Sequence, residues 1–263
     1  MTSNLIFLKL GGSLITDKSQ AETALPDLIF NLLSDLKRYL DQNADQKILL
    51  GHGSGSFGHH AAAKYGTRNG VSTLEEWQGF REVWESARKL NQIVLDIGRQ
   101  VNLDLISFPP SAALLSRQNQ VVNWNTEPIE HALTNGLIPM VYGDVVFDQV
   151  LCGTIFSTEE LFAHLALTLK PDRILLAGKE AAVFADYPAN QQPIAHISRL
   201  AALESYLKDS QNKDVTGGMR SKVAQMQAIC NSNPGTRVEI FSASQPGELF
   251  QALSGSHSGT IIS

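Results

Sequence analysis

The sequence predicts an α/β fold in which a mainly parallel central sheet is covered by helices on both faces. Two observations carry this expectation. Short apolar runs of strand length recur at residues 5–10, 47–51, 103–108, 138–142, 173–177 and 237–241, and near-continuous apolar character marks strands buried on both faces. Amphipathic stretches of helical period separate most of them, and alternation of the two types builds a parallel sheet with helical layers.

In chain order, the first strand (5–10) is apolar apart from Lys9. A helix is expected over 26–39, where Leu28, Ile29, Leu32, Leu33 and Leu36 share a face and Pro26 suits a first turn. The longest helix is expected over 73–101, opened by a capping box at Ser72/Glu75 or Thr73/Glu76. The segment 145–151 reads as a hairpin turning at Asp148-Gln149, which would make the sheet mixed in its middle. A further helix is expected over 158–170, with Thr158 as cap, an acidic first turn and Pro171 as its stop. Near 153–159 a second run of strand–helix units begins, so the chain is read as one domain with halves of about 1–155 and 156–263.

Composition narrows the function classes. Charged residues are 18% and apolar residues 43% of 263, which excludes a disordered chain. The net charge of −5, with no compensating basic stripe, argues against nucleic acid as partner. The run at 5–10 is too short for a signal-peptide core, and nothing approaches a membrane span, so a cytoplasmic setting is expected. Two cysteines, Cys152 and Cys230, make no disulfide framework and suit no metal motif; both are expected in the core.

Three segments carry chemistry. The first is Lys9-Leu10-Gly11-Gly12-Ser13, continuing to Lys18. Its glycine pair lets backbone N–H groups face an anion, and Lys9 within an apolar strand costs desolvation unless an anion meets it. The spacing is not that of a P-loop, and a solvated turn with Lys9 reaching outward stays open. The second segment has glycines at 51, 53, 55 and 58, followed by His59 and His60. A glycine-rich turn from strand to helix gathers N–H groups and the positive helix end, and a histidine there offers a further donor to phosphate. The third is Asp214-Val215-Thr216-Gly217-Gly218-Met219-Arg220-Ser221-Lys222. Lys222 would meet a nucleotide phosphate as a point charge, or the segment is simply a capped helix with exposed cations.

Together these motifs resemble the isopentenyl phosphate kinases, a family within the amino acid kinase superfamily. Ser107-Phe108-Pro109-Pro110-Ser111, Gly143-Asp144-Val145-Val146-Phe147-Asp148 and Gly259-Thr260-Ile261-Ile262 agree in order, and Gly-Ser-Phe-Gly-His at 55–59 is the most discriminating part. The resemblance implies a three-layer αβα sandwich, usually a homodimer, with ATP over the C-terminal half and the acceptor over the N-terminal half. By that similarity Lys9 and Lys18 would neutralise the transferring phosphoryl and Asp144 would orient the cationic groups. Gly11, Gly12, Ser13, Ser54, Gly217, Gly218 and Lys222 would hold ATP. Gly53, Gly55, Ser56, Gly58 and His59 would hold the acceptor phosphate. Mg²⁺ is expected to arrive with ATP on phosphate oxygens and water. A phosphate acceptor is already ionised, so no general base is needed and positioning with cation density carries the reaction.

Two segments depart from the family pattern. Gly178-Lys179-Glu180-Ala181-Ala182-Val183-Phe184 has Lys and Ala where an acid and Gly are usual, and Ser157-Thr158-Glu159 stands for Ser-Gly-Asp. Both border the nucleotide half. Trp77, Phe80, Val83, Trp84 and Ile93 would line a tail pocket or simply belong to the core. The leading expectation is phosphorylation of isopentenyl phosphate or a similar alkyl phosphate. A phosphonate kinase, such as one acting on fosfomycin, and a non-catalytic sensor of the same fold are the alternatives.

Overall fold

The structure is a computed structural model that describes residues 4–186, 189–200, 218–256 and 259–263. The N-terminal part runs β1 (Leu5–Leu10), α1 (Gly12–Ile15), α2 (Pro26–Gln42), β2 (Lys47–His52), α3 (Gly55–Tyr65) and α4 (Leu74–Gln100). The middle follows with β3 (Leu105–Ser107), α5 (Pro110–Ala113), β4 (Leu114–Arg117), β5 (Gln120–Trp124), α6 (Glu127–Thr134), β6 (Ile138–Tyr142), β7 (Asp144–Asp148) and β8 (Cys152–Phe156). Then come α7 (Thr158–Leu169), β9 (Arg173–Gly178), β10 (Val183–Phe184), β11 (Pro193–Ile194) and β12 (His196–Ile197). The last described elements are α8 (Gly218–Ser232), β13 (Arg237–Ser242), α9 (Glu248–Leu253) and β14 (Thr260–Ile262).

Eight strands form the main sheet in the order β12-β14-β13-β9-β1-β2-β6-β3. Every neighbouring pair is parallel except β13 with β14. All six residues of β1 are buried, and the side-chain alternation of a strand sends them to two cores. Ile6, Leu8 and Leu10 pack with Leu32, Leu36, Leu90 and Leu249 in one core. Leu5 and Phe7 pack with Leu161, Phe162, Val223 and Met226 in the other. Helices α2, α4 and α9 thus cover one face, and α7 and α8 the other. This is the three-layer αβα sandwich. No described helix is long and apolar enough to cross a membrane.

Local chemistry explains the element ends. Thr73 caps α4 and forms the capping box with Glu76, whose carboxylate also accepts from the Ser72 N–H at 2.7 Å. The cap of α7 is Ser157 rather than Thr158: the Ser157 hydroxyl accepts from Glu160 N–H, and Glu160 reaches back to the Ser157 N–H. Thr158 is used otherwise, its hydroxyl donating to the His52 carbonyl at 2.6 Å.

The hairpin expected at 145–151 exists with a different register and place. Its strands are β7 and β8, with 149–151 as the turn, and they lie in a separate four-stranded sheet, β5-β4-β7-β8. The main sheet is therefore mixed near its β12 edge, where β14 runs antiparallel to β13, not in its middle. Asp148, 4% exposed, dictates this turn. Its carboxylate accepts from the N–H groups of Gln118, Asn119, Val150 and Leu151 and from the Ser116 hydroxyl. Cys152 follows with φ of 61° and is exposed, contrary to the expectation of a core residue, while Cys230 is buried.

Burial pushes the Asp148 carboxyl up, but these donors outweigh it and hold the group well below the usual carboxylate range. A depressed folded pKa adds stability above the unfolded value that is lost as pH falls. Asp148→Ala is expected to lower the unfolding free energy by about 2–3 kcal/mol near neutral pH. In urea titrations the difference from wild type should narrow below about pH 4.

Candidate active site

Strands β1 and β2 lie side by side with Lys9 opposite Gly51 and Leu10 opposite His52. The turns that follow them therefore leave the sheet together at the carboxyl ends of parallel strands, where α/β folds bind ligands. The Gly53 N–H donates to the Leu10 carbonyl at 3.0 Å. The turns touch backbone to backbone. A Cβ on Gly12 would lie 2.3 Å from the Gly55 nitrogen, and one on Gly53 2.7 Å from the Gly12 nitrogen. Thr16 stitches the contact, accepting from the Ser56 N–H at 3.0 Å and donating to the Gly12 carbonyl at 2.7 Å. Gly55, which opens α3, has φ of 51°, in the left-handed region that favours glycine. Gly58 faces the Ser54 side chain so closely that a Cβ would sit 2.4 Å from its Oγ. On the other side the Gly11 N–H donates to the Ala177 carbonyl of β9 at 2.8 Å, and Ser13 follows half-buried in α1.

The cations meet on the α7–α8 face. Lys9, 8% exposed, is on the same side of β1 as Phe7 and forms an ion pair with Glu159 in the first turn of α7. Lys222, on α8, brings its Nζ to 3.9 Å from the same Glu159 oxygen. Burial lowers the pKa of Lys9 and the charge of Lys222 adds to that, while Glu159 opposes both. Burial would raise Glu159, but Lys9 and then Lys222 overcome it and hold the carboxyl below its usual range. One carboxylate thus holds two ammonium groups, leaving an excess of positive charge for an incoming anion.

The remaining expected residues fall in distinct places. Lys18 is exposed in the loop after α1. Asp144, expected to orient the cations, is fully buried and accepts from the N–H groups of Val145 at 2.8 Å and Ser111 at 3.3 Å. Burial pushes its carboxyl up to about 6. The acid that meets both Lys9 and Lys222 is Glu159. His59 lies in α3, with its side chain outside the described residues, and Gly217 also lies outside them, while Gly218 opens α8. His52, behind the second turn, stacks on Tyr142 at 5.3 Å and 3° and is wholly buried. Burial lowers its pKa to about 4, so the ring is neutral at physiological pH.

A sequence model of the amino acid kinase family matches residues 4–242. The chain belongs to that family. Among its relatives is the isopentenyl phosphate kinase of Methanocaldococcus jannaschii, 30% identical over 266 residues covering 98% of each chain. Another is the isopentenyl phosphate kinase of Methanothermobacter thermautotrophicus, 31% identical over 95% of this chain and 96% of the relative. A solved structure described as isopentenyl phosphate kinase superposes with a TM-score of 0.84 at 27% identity, covering 98% of this chain and 100% of the other.

Within this amino acid kinase, both departures border the turns. Glu159 stands where an aspartate was expected; its longer side chain still reaches Lys9 and Lys222. It escaped sequence reasoning although its spacing to Phe162 and Ala166 sets it on the buried face of α7. Thr158, in place of glycine, packs its methyl where Gly51 lacks a side chain: a Cβ on Gly51 would be 2.6 Å from Thr158 Cγ2. Lys179 is exposed just beyond β9, and its charge is one of the influences that lower the Asp17 carboxyl, after the hydrogen bonds from Ser19. Of the residues considered for an apolar tail, Phe80 and Val83 are buried in a small cluster with Val71 and Val145, and Trp77 packs against it. Trp77 and Phe80 also face Phe147, at 6.2 and 5.3 Å between ring centroids. Trp84 is 36% exposed, and Ile93 packs on the α2 core.

Contact between the turns leaves no room for a methyl group. Gly12→Ala is expected to destabilise the protein by about 2 kcal/mol or more, because the obstacle is backbone. Gly235→Ala, where a Cβ meets nothing within 4 Å, should stay within about 0.5 kcal/mol of wild type. Denaturant unfolding of both variants checks the difference.

Proposed function

We propose that the protein transfers the γ-phosphoryl of ATP to the phosphate of isopentenyl phosphate, or of a closely similar small alkyl phosphate, giving the diphosphate. One observation carries the reading: two glycine turns in backbone contact open beside Lys9 and Lys222, both drawn to Glu159. The identity of the acceptor draws its support from the relatives.

On this reading the halves divide the work, the acceptor lying over about 1–155 and ATP over about 156–263. Lys9, Lys18 and Lys222 offset the charge of two phosphates brought into line, and Gly11, Gly12, Ser13, Ser54, Gly217 and Gly218 admit the nucleotide phosphates to close backbone approach. Gly53, Gly55, Ser56, Gly58 and His59 hold the acceptor phosphate, with His59 donating a hydrogen bond. The nucleophile is an ionised phosphate oxygen, so transfer needs alignment and charge neutralisation rather than a base. Among the described residues, the buried acids near the turns are engaged, Glu159 by lysines and Asp144 by backbone N–H groups. Mg²⁺ would arrive with ATP, held by phosphate oxygens and water, and would offset the charge of the transferring phosphoryl. Trp77, Phe80 and Phe147 offer an apolar wall for a short alkyl tail. A cytoplasmic homodimer acting in isoprenoid synthesis is the proposed setting, supported by the free thiols and the family resemblance.

The test is an acceptor panel with ATP and Mg²⁺, followed by ³¹P NMR. Diphosphate formation from isopentenyl phosphate is the expected result. Turnover of fosfomycin alone would reassign the acceptor as a phosphonate, and ADP formation with no acceptor on the panel would contradict the reading. His59→Ala should lower kcat/KM for the acceptor by about 100-fold.

A further inference from the structure

The loop that carries Lys18 is anchored by Glu22, a residue outside the three glycine-bearing motifs. Glu22 has φ of 49°, a left-handed conformation uncommon for a residue with a side chain. Such a conformation persists only where its surroundings hold it, and it points to function when found beside a site. Here the holding groups are explicit. The buried Ser86 hydroxyl of α4 donates to Glu22 Oε1, and the Lys89 ammonium of the same helix donates to Oε2 at 2.9 Å. Next in the chain, the Thr23 N–H donates to Ser56 Oγ at 3.3 Å, and the Thr23 carbonyl accepts from the Asp17 N–H at 2.9 Å. The segment is a strap. It leaves the first glycine turn, passes Lys18, and is tied to α3 and α4 before α2 begins.

Core packing holds the end of the strap, where Ala24 rests against the core around α2, and the Glu22 N–H donates to the Ser56 carbonyl at 3.4 Å. Ala21, Glu22, Ser56, Lys64, Ser86 and Lys89 line a cleft of about 310 Å³ beneath the strap. At Glu22 itself the side-chain ties are polar. The Lys89 pair is exposed, with 55% and 39% of the two side chains accessible, so water screens it. The Ser86 contact, with a hydroxyl donor that is 6% exposed, is the stronger tie.

We propose that Glu22 is a positioning residue: through Ser86 and Lys89 it fixes the 17–24 strap, and with it the loop that carries Lys18, against the acceptor turn at Ser56. The part of this concerning catalysis rests on the reading of Lys18 as a cation at the transferring phosphoryl. A loop displaced by an ångström costs alignment, which appears in kcat rather than in nucleotide binding.

The test uses the full chain with isopentenyl phosphate and ATP, in the variants Glu22→Ala, Glu22→Gln, Ser86→Ala, Lys18→Ala and the Glu22/Lys18 double alanine. Glu22→Ala should lower kcat by about ten-fold or more while KM for ATP stays within about two-fold. In the Lys18→Ala background the same change should cost less than about two-fold, because neighbouring residues acting as a unit are not additive. Glu22→Gln, which keeps an acceptor for Ser86, should retain most of kcat, and Ser86→Ala should resemble Glu22→Ala. Equal losses in both backgrounds would overturn the proposal, since a general loss of stability is indifferent to Lys18. Hydrogen exchange gives a readout independent of turnover: amides of residues 17–24 should exchange about ten-fold faster in Glu22→Ala, with the β1 and β2 amides unchanged. Unchanged protection of the strap would sink the positioning claim even in an active enzyme. Faster exchange together with a Lys18→Ala enzyme of normal kcat would instead sink the role of Lys18 and leave the anchor standing.

Discussion

A carboxylate shared by two lysines is the interaction on which the site depends. Lys9 sits near the carboxyl end of a fully buried strand, where an isolated ammonium would be driven to lose its proton. Glu159 opposes that, and by also drawing Lys222 it joins the first strand to the helix that begins near the end of the chain. Breaking a buried pair by removing one partner costs about 3–5 kcal/mol, because the other charge is left unmatched. Yet taking both charges out of water cancels much of their attraction, so packed apolar residues would serve stability as well. The pair makes sense where a phosphate shares the cations during turnover.

The sheet topology brings this local chemistry to one edge of the sheet. Because β9, β1 and β2 run parallel and adjacent, three strand ends open at the same edge. Glycines at 11, 12, 53 and 55 let the turns beyond them touch without side chains intervening. Alternation along β1 then sends Leu8 and Leu10 to one core and Lys9 to the opposite face, where α7 and α8 supply its partners. A slip of one residue in register would turn Lys9 into the core of α2 and α4.

Much of this was legible in the sequence, for identifiable reasons. The strands at 5–10 and 138–142 were read with their observed bounds because a strand buried on both faces shows as an uninterrupted apolar run. Helix α4 announced itself through its capping residues and amphipathic face. The hairpin register was not legible, since its turn is organised by donors at Gln118 and Asn119, about thirty residues before Asp148. Glu159 reads locally as a departure from an expected aspartate, although its helical spacing to Phe162 places it inside. Asp144 drew the orienting role by resemblance, yet its hydrogen bonds run to backbone N–H groups. Nothing local marks Glu22 as left-handed, because the groups that hold it come from α4, more than sixty residues on.

The most direct test of the shared carboxylate is the pH dependence of kcat in Glu159→Gln. Glutamine keeps the shape but removes the charge that favours protonated Lys9, so the Lys9 pKa should fall further. The alkaline limb of the kcat profile should then move to lower pH, with a lowered plateau. A variant with the wild-type profile and plateau would mean that the cations are held by something other than Glu159.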